Sequence, residues 1–286
     1  MFTHLLLALL AATAPLVAPR VIGFSLDIEP PAGNESVAFV NVMAEYRWRL
    51  AGTGLRLSAD AGTAWTAPEY ETTVNGTMRT LAQWLVVLCD EAILMVYDRN
   101  ATNLLVRAEP YLTYADGLSG KLITVGVAIA TPGSPPTWWQ TANTSELEDL
   151  IATVDEPLRQ HVSFTARYAV FFGATLANAS AAERSPPPTI NETKTLWYLD
   201  DDWVYDAAAQ KAFFNFAAAQ NIVEVYDAPH AGSRPHIGAN AVDQAAYAEF
   251  IKIAHGRGID VQFLSGLATL AGDLEFIQTV NAELSR

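Results

Sequence analysis

The chain alternates short apolar runs rich in β-branched residues with longer helical patterns. Eight of the runs are predicted strands: VIGFSLDI (21–28), LRLSAD (55–60), EAILMVYD (91–98), LITVGVAIA (122–130), FTARYAVFF (164–172), TLWYLD (195–200), IVEVYD (222–227) and IDVQFLSG (259–266). Helices are predicted between most of them, near 37–50, 75–88, 101–117, 145–159, 206–220, 240–257 and 272–284. Because strands that alternate with helices form parallel βα units, eight such units indicate a closed barrel.

The predicted fold class is therefore α/β, a single (β/α)8 TIM barrel over residues 21–286. A doubly wound open sheet is the alternative, but no glycine-rich phosphate turn of the form G-x-G-x-x-G follows any predicted strand. Residues 173–194 interrupt the alternation with three consecutive prolines and little periodicity. They predict an exposed linker.

Acidic residues stand at the ends of several predicted strands. They are Asp27, Glu29, Asp60, Asp98, Asp200 and Asp227. The carboxyl ends of barrel strands form the catalytic face, and carboxylates grouped there suit acid–base or glycosidic chemistry. Helix capping is the other interpretation, and it stays open for Asp60, Asp200 and Asp227. Asp27 and Glu29 are two residues apart, which puts both on one side of a strand.

The first 20 residues indicate secretion. MFTHLLLALLAATAPLVAPR is an apolar stretch followed by small residues, as in a signal peptide. A short membrane anchor is the alternative, although the run is short for a span. Six of the twelve asparagines lie in N-x-Ser/Thr sequons, which mark exposed positions in secreted proteins: Asn34, Asn75, Asn100, Asn143, Asn178 and Asn191. The single cysteine, Cys89, predicts a buried thiol.

Charge and composition argue against some classes of binding partner. The net charge of −14 repels phosphate, which argues against nucleic acid and anionic membranes as partners, whereas a neutral carbohydrate meets no such repulsion. The five histidines show no metal-ligand spacing. A carbohydrate ligand is compatible with this charge, and we expect no cofactor, no metal and no membrane association after signal cleavage. The oligomeric state stays open.

Two stretches together resemble the chitinase-like glycoside hydrolases of family 18. That family carries D-G-x-D-x-D-x-E at its fourth barrel strand, and in IGFSLDIE the matching residues are Gly23, Asp27 and Glu29, with Ile22 and Ser25 in place of the first two acids. The family also carries M-x-Y-D on its sixth strand. MVYD supplies Met95, Tyr97 and Asp98.

The order of these motifs implies a circular permutation. The family's fourth strand is the first strand here, and its first three strands correspond to 195–200, 222–227 and 259–266. The proline-rich linker then joins the ancestral termini, which lie close together at a barrel surface. A slice of a longer tandem array is the alternative.

The resemblance also implies roles for individual residues. Glu29 is the general acid, Asp27 orients the substrate's N-acetyl group, Tyr97 donates a hydrogen bond to its carbonyl, and Asp98 lines the same cleft. The further substrate-binding candidates are Met95, Asp60, Asp227 and the aromatic residues Trp197, Trp138 and Trp139. Trp65 is a further stacking candidate.

Three functional hypotheses follow from the sequence. The first is a secreted glycoside hydrolase that cleaves an extracellular or cell-wall glycan. The second is a lectin-like barrel that binds carbohydrate without cleaving it. The third is a barrel with an unrelated enzymatic or structural role. Turnover of N-acetylglucosamine oligomers separates the first hypothesis from the second.

Overall fold

Eight parallel strands form a closed barrel. The computed structural model describes residues 20–28, 30, 34–129, 140–172, 193–198, 207–227 and 241–265, with 278, 280–282 and 284 near the end of the chain. The barrel strands are β1 (Val21–Leu26), β2 (Arg56–Gly62), β5 (Glu91–Met95), β6 (Leu122–Ile129), β7 (Phe164–Phe172), β8 (Thr193–Tyr198), β9 (Ile222–Asp227) and β10 (Asp260–Ser265). The predicted (β/α)8 fold class is confirmed.

The barrel closes between its first and last strands. β1 pairs in parallel with β10, in a register that sets Phe24 beside Phe263, and on its other side with β2. The closed barrel that the eight predicted units indicate is thus confirmed. The strands follow one another around the barrel in chain order. A ring of consecutive units has this order whichever unit comes first, so the circular permutation stays a prediction.

Helices follow the strands and cover the barrel. The helices in the described residues are α1 (Asn34–Leu50), α2 (Leu81–Leu88), α3 (Ala101–Asp116), α4 (Thr144–Leu158), α5 (Ala207–Ala219) and α6 (Ala241–Gly256). The described residues between 278 and 284 are helical as well. All seven predicted helical regions therefore contain helix, with bounds that differ by a few residues in most cases.

The largest difference lies between β2 and α2. The sequence predicts a helix from 75, but residues 71–80 form a hairpin of β3 (Glu71–Val74) and β4 (Thr77–Thr80), preceded by two 3-10 turns, Thr63–Thr66 and Pro68–Tyr70. Asn75 and Gly76 form the turn with φ angles of 50° and 77°. Asn-Gly is the dipeptide that favours a two-residue turn with both φ angles positive, so the sequence did contain the signal.

A reciprocal pair of hydrogen bonds begins α2 directly after this hairpin. The Thr80 hydroxyl accepts from the Gln83 backbone N–H at 3.3 Å, and the Gln83 side chain accepts from the Thr80 backbone N–H at 3.2 Å. This capping box satisfies two of the donors that a helix start leaves without partners. It therefore sets the position at which the hairpin ends and the helix begins.

We expect Thr80→Ala to lower the free energy of unfolding by about 1 kcal/mol, because alanine provides no acceptor for the Gln83 N–H. Chemical denaturation of both proteins measures the difference. Thr113→Ala is the matched control, since the Thr113 hydroxyl donates to an exposed Glu109 carboxylate in the middle of α3 and caps no helix start. Equal losses in the two variants would show that the capping box contributes nothing specific.

Strand β8 begins two residues earlier than predicted. Thr193 and Lys194 were assigned to the exposed linker 173–194, yet they belong to the strand, and Lys194 is buried. Its ammonium group lies 2.8 Å from the Glu148 carboxylate of α4 and donates to the Gln220 carbonyl at 3.2 Å. Burial is tolerated because the charge is paired and hydrogen-bonded. Residues 173–192 of the linker lie outside the described residues.

Side chains alternate between the two faces of each barrel strand. Outward residues join the core beneath the helices. Phe24, for example, lies with its ring centre 6.3 Å from that of Tyr46 on α1. Inward residues fill the barrel, where Ile93, Ala169, Tyr226 and Leu264 form a separate apolar cluster. The barrel interior is thus a packed core, as expected for eight strands.

Among the described residues, four charged side chains form ion pairs with one another in the amino-terminal half of the barrel interior. We name Arg56, Glu91, Arg167 and Glu224 the charged ring. Arg56 lies 2.7 Å from Glu224 and 3.6 Å from Glu91, and Arg167 pairs with the same two carboxylates, at 3.3 Å in the case of Glu91. Both carboxylates are buried. Burial raises the pKa of Glu91, as does Glu224, while the two guanidinium groups oppose that rise.

Candidate functional site

The carboxyl ends of the strands form one rim of the barrel, where βα connections place catalytic residues in this fold. Five of the predicted site residues with described side chains belong to three neighbouring strands, β1, β2 and β5, or to the positions directly after them. They are Asp27, Asp60, Met95, Tyr97 and Asp98. The rim therefore gathers most of the matched motif residues on one wall of the barrel.

Asp60 points into the barrel. Two residues before it, Ser58 donates to the Gln262 side chain at 2.9 Å across the interior, and alternation along β2 turns Asp60 to the same side. Asp60 is 2% exposed. A carboxylate buried this deeply beneath the rim differs from an exposed helix cap, which was the other interpretation of this residue.

Asp27 lies next to Asp60. The β1–β2 register pairs Ser25 with Ser58 and Leu26 with Ala59, so Asp27 and Asp60 are the next residues on the two strands. Gly23 faces Gln262 inside the barrel, and continued alternation turns Ser25 and Asp27 inward too. Asp27 is partly buried. The register thus makes these two acidic residues neighbours at the rim.

Ser25 lies one level deeper on β1. It is fully buried, and its hydroxyl makes no hydrogen bond to any residue in the described part of the chain. The resemblance places an acid of the family motif at this position. The acidic residue near this position is instead Asp60, on the adjacent strand β2. Its place beside β1 follows from the strand register and cannot be read from the sequence motif.

Tyr97 also faces the interior. Its ring lies 5.8 Å from that of Phe171 and packs against the apolar cluster of Ile93, Ala169, Tyr226 and Leu264. Its φ angle is 23°. A positive φ is costly for a bulky residue and persists only where the surrounding structure enforces it, which is common at functional sites. Tyr97 is therefore held at the rim by its neighbours.

Asp98 is directed toward α3 rather than into the barrel. One carboxylate oxygen accepts from the Asn100 backbone N–H at 2.9 Å, and the other lies 3.4 Å from the Arg107 guanidinium. Asp98 therefore organises the start of α3. The structure does not bring its carboxylate together with Asp27 and Tyr97, although the resemblance implied a shared cleft.

Asp227 faces the helix layer. Glu224 belongs to the inward charged ring and Tyr226 to the interior cluster, so the last residue of β9 turns outward. Asp227 is buried, and its carboxylate interacts electrostatically with Tyr247 of α6. Burial and this carboxylate raise the pKa of Tyr247 well above its usual range. The structure therefore separates Asp227 from the rim wall that holds Asp27.

Trp65, a stacking candidate, is buried rather than available to a ligand. It is 4% exposed and lies with its ring centre 5.5 Å from that of Phe39 on α1. A buried indole cannot stack against a sugar ring, so the prediction that Trp65 is a stacking residue is wrong.

The remaining candidates are only partly visible. Met95 is partly buried and has the inward orientation of Ile93 by alternation. The Trp197 backbone pairs with Tyr226, but its side chain lies outside the described residues. Glu29, Trp138 and Trp139 lie outside them altogether.

Comparison of the sequence with models of known protein families gives no match, and comparison with curated protein sequences gives none. The function must therefore be inferred from the barrel rim and the motif residues. Among the described residues, no group of three or more His, Cys, Asp or Glu side chains is arranged to hold a metal ion. In the same part of the chain, no helix has the length and apolarity that a membrane crossing requires.

Proposed function

We propose that the chain is a secreted glycoside hydrolase that cleaves bonds between sugars in an extracellular or cell-wall glycan. The observation that carries the proposal is the wall formed by β1, β2 and β5. These neighbouring strands turn Asp27, Asp60 and Tyr97 toward the interior at the catalytic rim of the barrel. Carboxylates beside a phenol suit protonation and stabilisation of a glycosidic bond.

In the proposed mechanism Glu29 protonates the glycosidic oxygen. Its position two residues after Asp27 gives it a close acidic neighbour, and such a neighbour helps to keep a general acid protonated near neutral pH. Asp27 orients the substrate's N-acetyl group, which attacks the anomeric carbon. Tyr97 donates its hydroxyl hydrogen to the N-acetyl carbonyl. These roles follow from the resemblance to family 18, and the permuted strand order belongs to the same proposal.

A lectin-like barrel is the second candidate, and two observations favour it. Ser25 stands where the family motif has an acid, and Asp98 is bound to Arg107 and the start of α3. With these two departures the rim still has groups that can hydrogen-bond a sugar. It has fewer carboxylates that could support proton transfer to a glycosidic bond.

The test is an assay of the purified chain on chromogenic N-acetylglucosamine oligomers and on neutral glycans. A hydrolase releases the chromophore. We expect Tyr97→Phe to lower kcat/KM roughly fivefold, since a net hydrogen bond contributes about 1 kcal/mol. Tyr114→Phe on α3 makes the same chemical change on the outer layer and should leave the rate unchanged. Binding of oligomers without turnover would replace the hydrolase by the lectin.

A further inference from the structure

Three of the six sequon asparagines have described side chains, namely Asn75, Asn100 and Asn143. All three are exposed. The hydroxyl residues that complete the three sequons, Thr77, Thr102 and Ser145, are exposed too. A glycan on N-x-Ser/Thr is bulky and needs a surface position, which all three sequons have.

Asn100 and Asn143 are the residues that cap α3 and α4. The Asn100 side-chain oxygen accepts from the Asn103 backbone N–H at 3.1 Å, and that of Asn143 accepts from the Glu146 backbone N–H at 3.0 Å. Each cap uses only Oδ1. The side-chain nitrogen Nδ2, to which an N-linked sugar attaches, is not used by either capping bond.

Asn75 lies in a hairpin turn rather than at the start of a helix. It lies at the tip of the β3–β4 hairpin, with a φ angle of 50°, and its successor Gly76 has a φ angle of 77°. Asn-Gly is the dipeptide preferred in such two-residue hairpin turns, and the Asn75 side chain is exposed at the tip. The amide of Asn75 is therefore held away from the barrel.

The three asparagines share one end of the barrel. The hairpin follows β2, Asn100 follows β5, and Asn143 follows β6, so each belongs to a connection that leaves the carboxyl end of a strand. Asn100 and Asn143 also flank a cleft of about 280 Å³, whose lining includes Arg99, Thr141 and Glu146. Glycans on these asparagines would lie at the same end of the barrel as the candidate site.

We infer that Asn75, Asn100 and Asn143 are N-glycosylated, and that their glycans surround the carboxyl-terminal face of the barrel. In the transfer, a bond forms between Nδ2 and the anomeric carbon of an oligosaccharide carried on a lipid diphosphate. The bond from that carbon to the diphosphate oxygen breaks, the lipid diphosphate leaves, and Nδ2 loses one proton. The inference requires secretion but not hydrolase activity.

The test is expression of the full chain in a eukaryotic secretory host, followed by intact mass measurement and peptide mapping. We expect one glycan at each of the three positions. Asn100→Asp and Asn143→Asp keep the capping oxygen but remove the acceptor nitrogen, so each should lose one glycan with no shift in Tm. Thr102→Ala and Ser145→Ala should lose the same glycans by removal of the hydroxyl.

Alanine variants at the same positions separate the effect of the capping hydrogen bond on Tm from the effect of the glycan. Asn100→Ala and Asn143→Ala remove both, so their Tm should fall below that of the aspartate variants. A secreted chain with Asn100 and Asn143 unmodified would overturn the inference, as would a full chain that stays in the cytosol without glycans. A glycan that persists in Asn143→Asp would overturn that assignment.

Discussion

Replacement of Glu224 by alanine is expected to lower the free energy of unfolding by about 3–5 kcal/mol. Glu224 contacts both Arg56 and Arg167 of the charged ring and also accepts from Gln262. Its removal leaves two guanidinium groups inside the barrel with Glu91 as their remaining acidic partner in the ring. The loss is large because a charge held away from water must have a partner. Denaturant unfolding monitored by circular dichroism measures it.

Two further variants test whether this loss of stability comes from the removal of a buried charge. Glu45→Ala removes a carboxylate from an exposed pair, in which Arg49 lies 2.6 Å from Glu45, and should cost less than about 1 kcal/mol. Glu224→Gln preserves the shape and hydrogen-bonding capacity but not the charge, so its loss should lie between those two values. If Glu224→Ala lowers the free energy of unfolding no more than Glu45→Ala does, water stabilises the two arginines once Glu224 is gone, and the prediction is wrong.

Replacement of Glu29 by glutamine is expected to lower kcat at least about a hundredfold on a substrate that the wild type cleaves. General acid catalysis contributes a factor of about 10² to 10⁴, and glutamine has no proton to donate to the leaving oxygen. Substrate affinity should change little, because the amide has nearly the same size. Steady-state kinetics on chromogenic oligomers give kcat and KM separately.

The matched control for this substitution is Glu249→Gln, in which the same chemical change is made on an exposed face of α6. Its turnover should equal that of the wild type. Asp27→Asn should lower the rate too and shift the acidic limb of the pH profile. Full turnover by Glu29→Gln would contradict the assignment of the general acid.

The sequence predicts the barrel well because each strand is a continuous apolar run separated from the next by a helical pattern. β7 and β9 were predicted with the bounds that the structure shows, Phe164–Phe172 and Ile222–Asp227. The hairpin at 71–80 was missed because a helical pattern was extended across it. In that stretch the local Asn75-Gly76 signal determined the structure.

The side to which a residue points was harder to predict than the strand itself. Strands buried on both faces lack polar alternation, so nothing in IVEVYD tells which residues face the interior. Asp227 was expected at the rim and faces Tyr247 instead. The charged ring was missed for a related reason. Its four members come from four different strands, and only barrel closure brings them together.

Closure between β1 and β10 has a consequence for synthesis. The Val21 backbone N–H donates to the side chain of Asn281, a residue 260 positions later in the chain. At roughly 5–20 residues per second, a ribosome needs roughly 10–50 s to make the intervening segment. During that interval β1 has β2 available on one side and an open hydrogen-bonding edge on the other. We therefore expect the nascent chain to expose an aggregation-prone edge until β10 has been made.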